Sequence, residues 1–273
     1  MPLTHPVTPG RMLRFFRRRR SLSQHRLALA SGVSARHLSF LESGRSLPGR
    51  DVLVRIGRAL ELSSSELNRL LVTAGYASLQ PIRPLDHAAL DPVRHLLTFL
   101  LERHEPYGAV VVDRAWNVLL ANRAHRAIMG IFAPESPGAR GEPSNLVHEL
   151  FSPSGLRPAV ANFPVVASVL FRAVSASAAQ HPFDPRLQSL AADLEEMEVP
   201  AQPTESDLSE HALWIPIELA RGPHRVSLVS TITTFAAPLD ATVEELRLET
   251  FLPLDDESRR TLERLASRTE PPS

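Results

Sequence analysis

Between Gln24 and Arg45 the chain reads QHRLALASGVSARHLSFLESGR, and its polar and basic residues have the types and spacing needed to read a nucleic-acid duplex. Arg36 carries a planar fork of donors that fits a guanine edge. Ser39 offers a hydroxyl, and Ala35 and Phe40 offer apolar surface for a thymine methyl. Ser34 and His37 share the same short segment, while Gln24 ahead of it and Arg45 behind it stand where such segments meet phosphates. Gln24, Ser34, Ala35, Arg36, His37, Ser39, Phe40 and Arg45 are therefore the candidate DNA-contacting set.

Contacts of this kind need a helix held clear of its own core. Ser23 is a good N-cap, and Leu27, Ala28 and Ala30 follow at helical spacing until Gly32 interrupts them. Ser34 caps a second helix whose Leu38 and Leu41 keep one face on a core, with Val33 packed inward. Small Ala28 permits close approach, and Gly32 can take a positive φ. Together these fix a crossing of roughly 90–120° that projects the second helix outward.

At these residues the sequence resembles the Cro and phage-repressor type of helix-turn-helix, the XRE family, over about residues 10–75. The resemblance implies an all-α, five-helix DNA-binding domain. Helices are expected over Arg11–Arg20 (core-facing Met12, Leu13 and Phe16), the two of the motif, Arg50–Leu60, and Ser63–Ala74 closed by Gly75. The run Arg17–Arg20 is expected to raise the potential that attracts phosphates.

Charge distribution agrees. The formal net charge is zero, but residues 1–80 hold 13 arginines against four acids, a balance of +9, leaving −9 for residues 81–273. The basic part is the nucleic-acid part. With 273 residues the chain exceeds one helical DNA-binding domain. The expected division is 1–76 for that domain, 77–104 for a linker and connecting helix, and 105–273 for a second domain. The absence of cysteine excludes disulfides, thiolate metal sites, cysteine nucleophiles and thiol-adduct flavin photochemistry. Arg19-Arg20 precedes LALA, but Gln24, His25 and Arg26 break the apolar run that export requires. No apolar stretch is expected to reach the about 18 residues a membrane helix needs, so the expected location is cytoplasmic, with no membrane partner.

In the second part Asp86–His104 reads as a long helix with an apolar stripe through Leu90, Val93, Leu96, Leu97, Leu100 and Leu101. Core packing within its own domain, a dimer surface and a spine between domains all suit that stripe. From Tyr107 the period changes: Gly108–Asp113 and Trp116–Leu120 read as a strand pair, and Asn122 opens a helix through Met129. Ala212–Leu219, Val226–Ala236 and Glu245–Leu252 read as three further antiparallel strands, with turns at Arg221–Pro223 and Pro238–Ala241. Helices fill the space from Ser144 to about Glu198. Five strands with helices inserted between the second and third make a PAS-like α+β domain with a five-stranded antiparallel sheet.

The run PYGAVVVDRAWNVLLANRAHRAIMG, set in this layout behind a Cro-like module, resembles the MmyB-like class of regulators. That resemblance implies a PAS-like ligand-binding domain and a fatty acid or similar apolar molecule as ligand, with no cofactor required. The residues themselves show only apolar inserted helices, such as Phe163–Val174, that could cover the sheet and leave a pocket. Trp116, Met129, Phe132, Phe163, Val166, Leu170, Phe171, Trp214 and Phe235 are the candidate walls, each equally at home in a plain core. A fatty carboxylate needs a partner in a dry pocket, for which Arg172, His148 and His211 are available.

Enzymatic readings find no support. His148-Glu149 lacks the second histidine of a zinc-peptidase helix, no serine sits in a nucleophile elbow, and no glycine-rich phosphate loop follows a strand. The expected protein is a homodimer that presents two recognition helices to half-sites roughly 34 Å apart on a symmetric double-stranded operator, modulated by a small apolar ligand. The alternative is a constitutive DNA-binding dimer whose second domain serves only dimerisation or protein interaction.

Overall fold

Short helices with hydroxyl caps build the first part of the chain. The computed structural model describes residues 7–80, 82–197, 214–236, 238 and 240–268. Residues up to Pro84, together with Ala236–Glu245, form one compact unit; Leu85–Phe235 and the chain from Leu246 onward form a second.

In the first unit α1 (Pro9–Arg19), α2 (Gln24–Ser31), α3 (Ala35–Ser43), α4 (Arg50–Ala59) and α5 (Ser64–Thr73) follow one another. Thr8, Ser23, Ser34 and Ser63 each accept a hydrogen bond from a backbone N–H of the helix they open, and Ser63 forms a full capping box with Glu66. Met12, Leu13, Leu27, Leu38, Leu41, Leu53, Ile56, Leu70 and Leu71 are wholly or almost wholly buried, so the expected faces are the ones that pack. Glycine is needed at Gly32 and Gly10 for different reasons. Gly32 ends α2 at φ 63°, in the left-handed region. Gly10 lies where a Cβ would stand 2.4 Å from the Leu41 carbonyl oxygen, so α1 closes on the end of α3 only without a side chain there.

The segment expected as a linker is strapped down. Asn68 on α5 accepts from the amides of Leu79 (2.9 Å) and Gln80 (3.1 Å) and donates to the Gln80 carbonyl.

In the second unit α6 (Asp91–Arg103) leads into a five-stranded antiparallel sheet of β1 (Ala109–Val112), β2 (Val118–Ala121), β3 (Ile217–Arg221), β4 (His224–Thr234) and β5 (Arg247–Pro253), in the order β2-β1-β5-β4-β3. Between β2 and β3 lie α7 (Arg123–Phe132), α8 (Leu146–Phe151), α9 (Phe163–Gln180) and α10 (Pro185–Glu196). A short α11 (Ala241–Glu245), part of the first unit, precedes β5, and α12 (Asp256–Arg268) follows it. The fold is the PAS-like α+β arrangement expected. Strand alternation feeds both faces of the sheet. Val110 and Val112 enter the core under α7, α8 and α9, whereas Ala109 and Val111 pack with Leu97 and Leu101 of α6.

Asn122 ties the opening elements together. Its Oδ1 accepts from the amides of His125 (2.8 Å) and Ala109 (3.0 Å), and its Nδ2 donates to the carbonyls of Tyr107 (2.8 Å) and Leu101 (3.2 Å).

Several expectations are corrected. The unit boundary falls at Pro84, and α6 lies wholly within the second unit, its Leu97 and Leu101 buried against the sheet while Leu96 and Phe99 stay half-exposed. Trp116 belongs to a turn, and β2 starts only at Val118. Glu245 ends a helical turn, because residues 236–245 leave the sheet to join the first unit. Ala212 and Leu213 lie outside the described residues. Among the described residues one helix, Phe163–Gln180, is long and apolar enough to cross a membrane by length and composition, contrary to expectation; its Phe163, Val166, Ala167 and Val174 are spent on the core.

Candidate functional site

On α3, Ala35 and Arg36 are exposed, and His37, Ser39 and Phe40 are partly so, while Leu38 and Leu41 hold the opposite face. Exposed Arg45 follows the Gly44 turn. The guanidiniums of Arg36 and Arg45 lie 5.5 and 6.0 Å from the centre of the Phe40 ring, one on each side in sequence, so the ring organises both cations. Ser34 spends a lone pair on capping α3.

Gln24 is differently employed. Its amide donates to Glu42 Oε2 at 2.9 Å, in a cluster where Arg17 grips both Glu42 oxygens at 2.6 and 2.8 Å. Burial pushes the Glu42 carboxyl up, but the hydrogen bonds from Arg17 and Gln24 and the charges of Arg17 and Arg14 outweigh it and hold it below its ordinary value.

The arginine run is likewise largely structural. Arg17 is held by Glu42, Arg19 pairs with Glu66 at 2.5 Å, and Arg20 donates to the carbonyls of Leu60 and Glu61. Arg17 and Arg19 spend their charge on carboxylates, whereas the partners of Arg20 are neutral carbonyls, so its charge, with that of exposed Arg18, remains available to the potential expected of the run.

In the second unit the sheet and its inserted helices enclose a cavity of about 280 Å³. Its walls come from α7, α8, α9, β3, β4 and β5 and are almost entirely apolar. Of the expected wall residues, Trp116, Met129, Val166 and Leu170 line it. Trp116 does so from the left-handed region, φ 67°, a costly conformation for a bulky residue. Asp113 pins the turn by accepting from the amides of Ala115 (2.8 Å) and Asn117 (3.0 Å).

The remaining expected wall residues stand elsewhere. Phe132 and Phe163 fill solid core, Phe163 edge-on to Phe151 at 5.6 Å. Phe171 packs at the margin of that core, and Arg172 is exposed on the outer face of α9. Trp214 is 52% exposed, and Phe235 packs on the opposite face of the sheet beside Leu246 and Leu248. Of the other proposed head-group partners, His148 Nε2 lies 3.2 Å from Asp193 and lines no part of the cavity, and His211 lies outside the described residues.

Three polar residues that sequence reasoning did not place in the cavity wall do line it: His125 on α7, Ser230 on β4 and Glu249 on β5. His125 stacks on Phe251 at 5.8 Å, and burial, aided by the charge of Arg126, lowers its imidazole to about 4, so it is neutral. Ser230 donates to Glu249 Oε1, while buried Oε2 has no hydrogen-bond partner among the described residues. Burial raises the Glu249 carboxyl to about 7 against the lowering effect of that hydrogen bond and of Arg247.

One unit presents an exposed polar face on α3, and a separate unit holds an apolar chamber. The model of the MmyB-like transcription regulator ligand binding domain matches residues 93–265. The chain belongs to this family. A helix-turn-helix family model also matches residues 13–67, which contain α2 and α3. Curated proteins give no match to the chain. This MmyB-like regulator therefore pairs a DNA-binding unit with a small-molecule unit, and both belong to transcription control rather than to enzymes.

Proposed function

We propose that the protein is a homodimeric, cytoplasmic regulator that binds a two-fold symmetric operator and changes its grip when an amphiphile with one long apolar chain, a fatty acid being the simplest case, occupies the second unit. The observation that carries this reading is the apolar cavity itself, whose size falls near the lower end of the about 300–1,000 Å³ of small-molecule sites. Arg36, Ser39 and Phe40 are the base-reading groups of α3, and Arg45 holds a phosphate.

The chain itself supplies a route for the signal. β4 and β5 carry Leu228, Ser230, Ile232, Glu249 and Phe251 of the cavity wall, and the residues between these strands, Ala236–Glu245, belong to the DNA-binding unit. There Ser65 on α5 donates from its hydroxyl to Glu245 (2.6 Å) and from its amide to Glu244 (3.2 Å), and Arg83 pairs with Asp240 at 3.2 Å. A ligand that orders β4 against β5 thus acts on a segment anchored to α5. It shifts the DNA-binding equilibrium by its differential affinity for the two arrangements and no more.

Native mass spectrometry of freshly purified protein, followed by denaturing extraction, tests the reading. A stoichiometric long-chain amphiphile whose removal and return alter operator affinity is expected. An empty dimer that ignores added amphiphiles would leave the constitutive DNA-binding dimer standing instead.

A further inference from the structure

The polar atoms of the cavity are concentrated on one wall and share one character. Ser230 and Glu249 face it from adjacent strands, with Ile232, the cross-strand partner of Glu249, 47% exposed at the rim. His125 faces it from α7. Glu249 is only 6% exposed and lines the chamber, and its buried Oε2 has no hydrogen-bond partner among the described residues. A buried carboxyl oxygen left unmatched is costly, and an occupant that satisfies it recovers that cost.

Among the described residues no arginine lines the chamber, and the chain contains no lysine. An anionic head placed here would meet a second carboxylate and a neutral imidazole, and Arg247, whose charge bears on Glu249, is not among the described lining residues that could pair it. A hydroxyl meets the opposite situation. It donates to Oε2 when Glu249 is ionised and accepts from Oε2–H when Glu249 is protonated, so it is matched in both states.

We propose that the Glu249–Ser230–His125 wall is a head-group subsite for a long-chain amphiphile bearing a hydroxyl, with the hydroxyl donating to Glu249 Oε2 and the chain running along the apolar wall of Met129, Leu150, Val166 and Leu170. This inference rests on the reading of the cavity as an apolar-chain site and narrows it, setting an ionised fatty-acid head aside.

Three probes of equal chain length separate the possibilities: dodecan-1-ol, methyl dodecanoate and dodecanoate. Binding to the full-length protein is followed at pH 8 by isothermal titration and by fluorescence of Trp116 in a Trp214→Phe background. Dodecan-1-ol is expected to bind about tenfold or more tightly than either competitor, because the ester lacks a donor and the carboxylate adds a charge. Glu249→Gln supplies an amide that both donates and accepts, and is expected to narrow the three affinities to within about threefold.

Dodecanoate binding as tightly as the alcohol to the wild-type protein would overturn the head-group assignment and leave the apolar cavity intact. Failure of all three probes to bind would overturn the cavity reading itself, and the assignment with it. The wild-type comparison decides between these outcomes even if the variant fails to fold.

Discussion

Replacing Glu249 by Gln should change the pH dependence of the second unit's stability in a way that its burial dictates. An unfolded glutamate loses its proton near 4.5, whereas Glu249 in place holds it to about 7. Between those values the folded protein carries a proton that the unfolded chain has released, so folding stability falls as pH rises. At about 1.36 kcal/mol per pH unit the whole window is worth roughly 3 kcal/mol, complete by pH 7.

His125 works in the opposite direction. Its imidazole loses its proton near 6.5 when unfolded and near about 4 when buried, so from 4 to 6.5 the unfolded chain holds the extra proton and stability rises with pH. The two slopes nearly cancel in the wild-type protein between about 4.5 and 6.5. Glu249→Gln removes one of them.

The assay is urea unfolding at fixed ionic strength from pH 4.5 to 8, followed by Trp116 fluorescence in a Trp214→Phe background. The variant's stability minus that of the parent should grow by roughly 3 kcal/mol between pH 4.5 and 7 and then level off. His125→Gln should expose the complementary fall. A difference that stays flat across this range would refute the claim that Glu249 is buried without a compensating partner.

On DNA, Arg36→Ala should cost about 1–3 kcal/mol of specific binding and little on random sequence, whereas Arg45→Ala should weaken both alike and lower the salt slope by about one; equal losses for Arg36→Ala would remove it from base readout. Gly10→Ala forces a Cβ to within 2.4 Å of the Leu41 carbonyl oxygen and should destabilise the first unit by about 1–3 kcal/mol, seen as a lowered thermal transition. Ser65→Ala removes the hydroxyl that holds Glu245 and should leave operator affinity without ligand near that of the parent while shrinking the ligand-induced change. An undiminished ligand response in that variant would remove this anchor from the signal route.

The first unit was legible because each of its signals is local. Ser23, Gly32 and Ser34 state where helices start and stop, and Leu27, Leu38 and Leu41 state which faces pack. The competition for Arg17 and Gln24 was not legible. Both are engaged by Glu42, 25 and 18 residues away, and no periodicity reports a pairing at that range.

In the second unit the hairpin, Asn122 and the five strands could be read, but the cavity wall could only be read in part. Aromatic residues such as Phe132, Phe163 and Phe235 signal burial without saying on which side of the sheet. Glu249 gave a misleading signal. Leu248 and Leu252 alternate with Glu249 along β5, which in a sheet wet on one face would turn the carboxylate to solvent. Here α6 covers one face and the inserted helices the other, so the residues of both parities are enclosed.

That double coverage also explains why polar groups at the cavity bear on regulation. A chamber walled only by Met129, Leu150 and Leu170 would accept any apolar chain of suitable length, because dispersion and burial are non-directional. On the proposed assignment one unmatched oxygen on β5 makes the site selective, since an occupant that satisfies Oε2 is favoured over one that merely fills space. The same oxygen is four residues from Glu245, which Ser65 holds in the DNA-binding unit. Recognition of the head group and anchorage of the DNA-binding unit therefore share one short stretch of backbone, and a ligand that binds by its chain alone has less leverage on it than one that also engages Glu249.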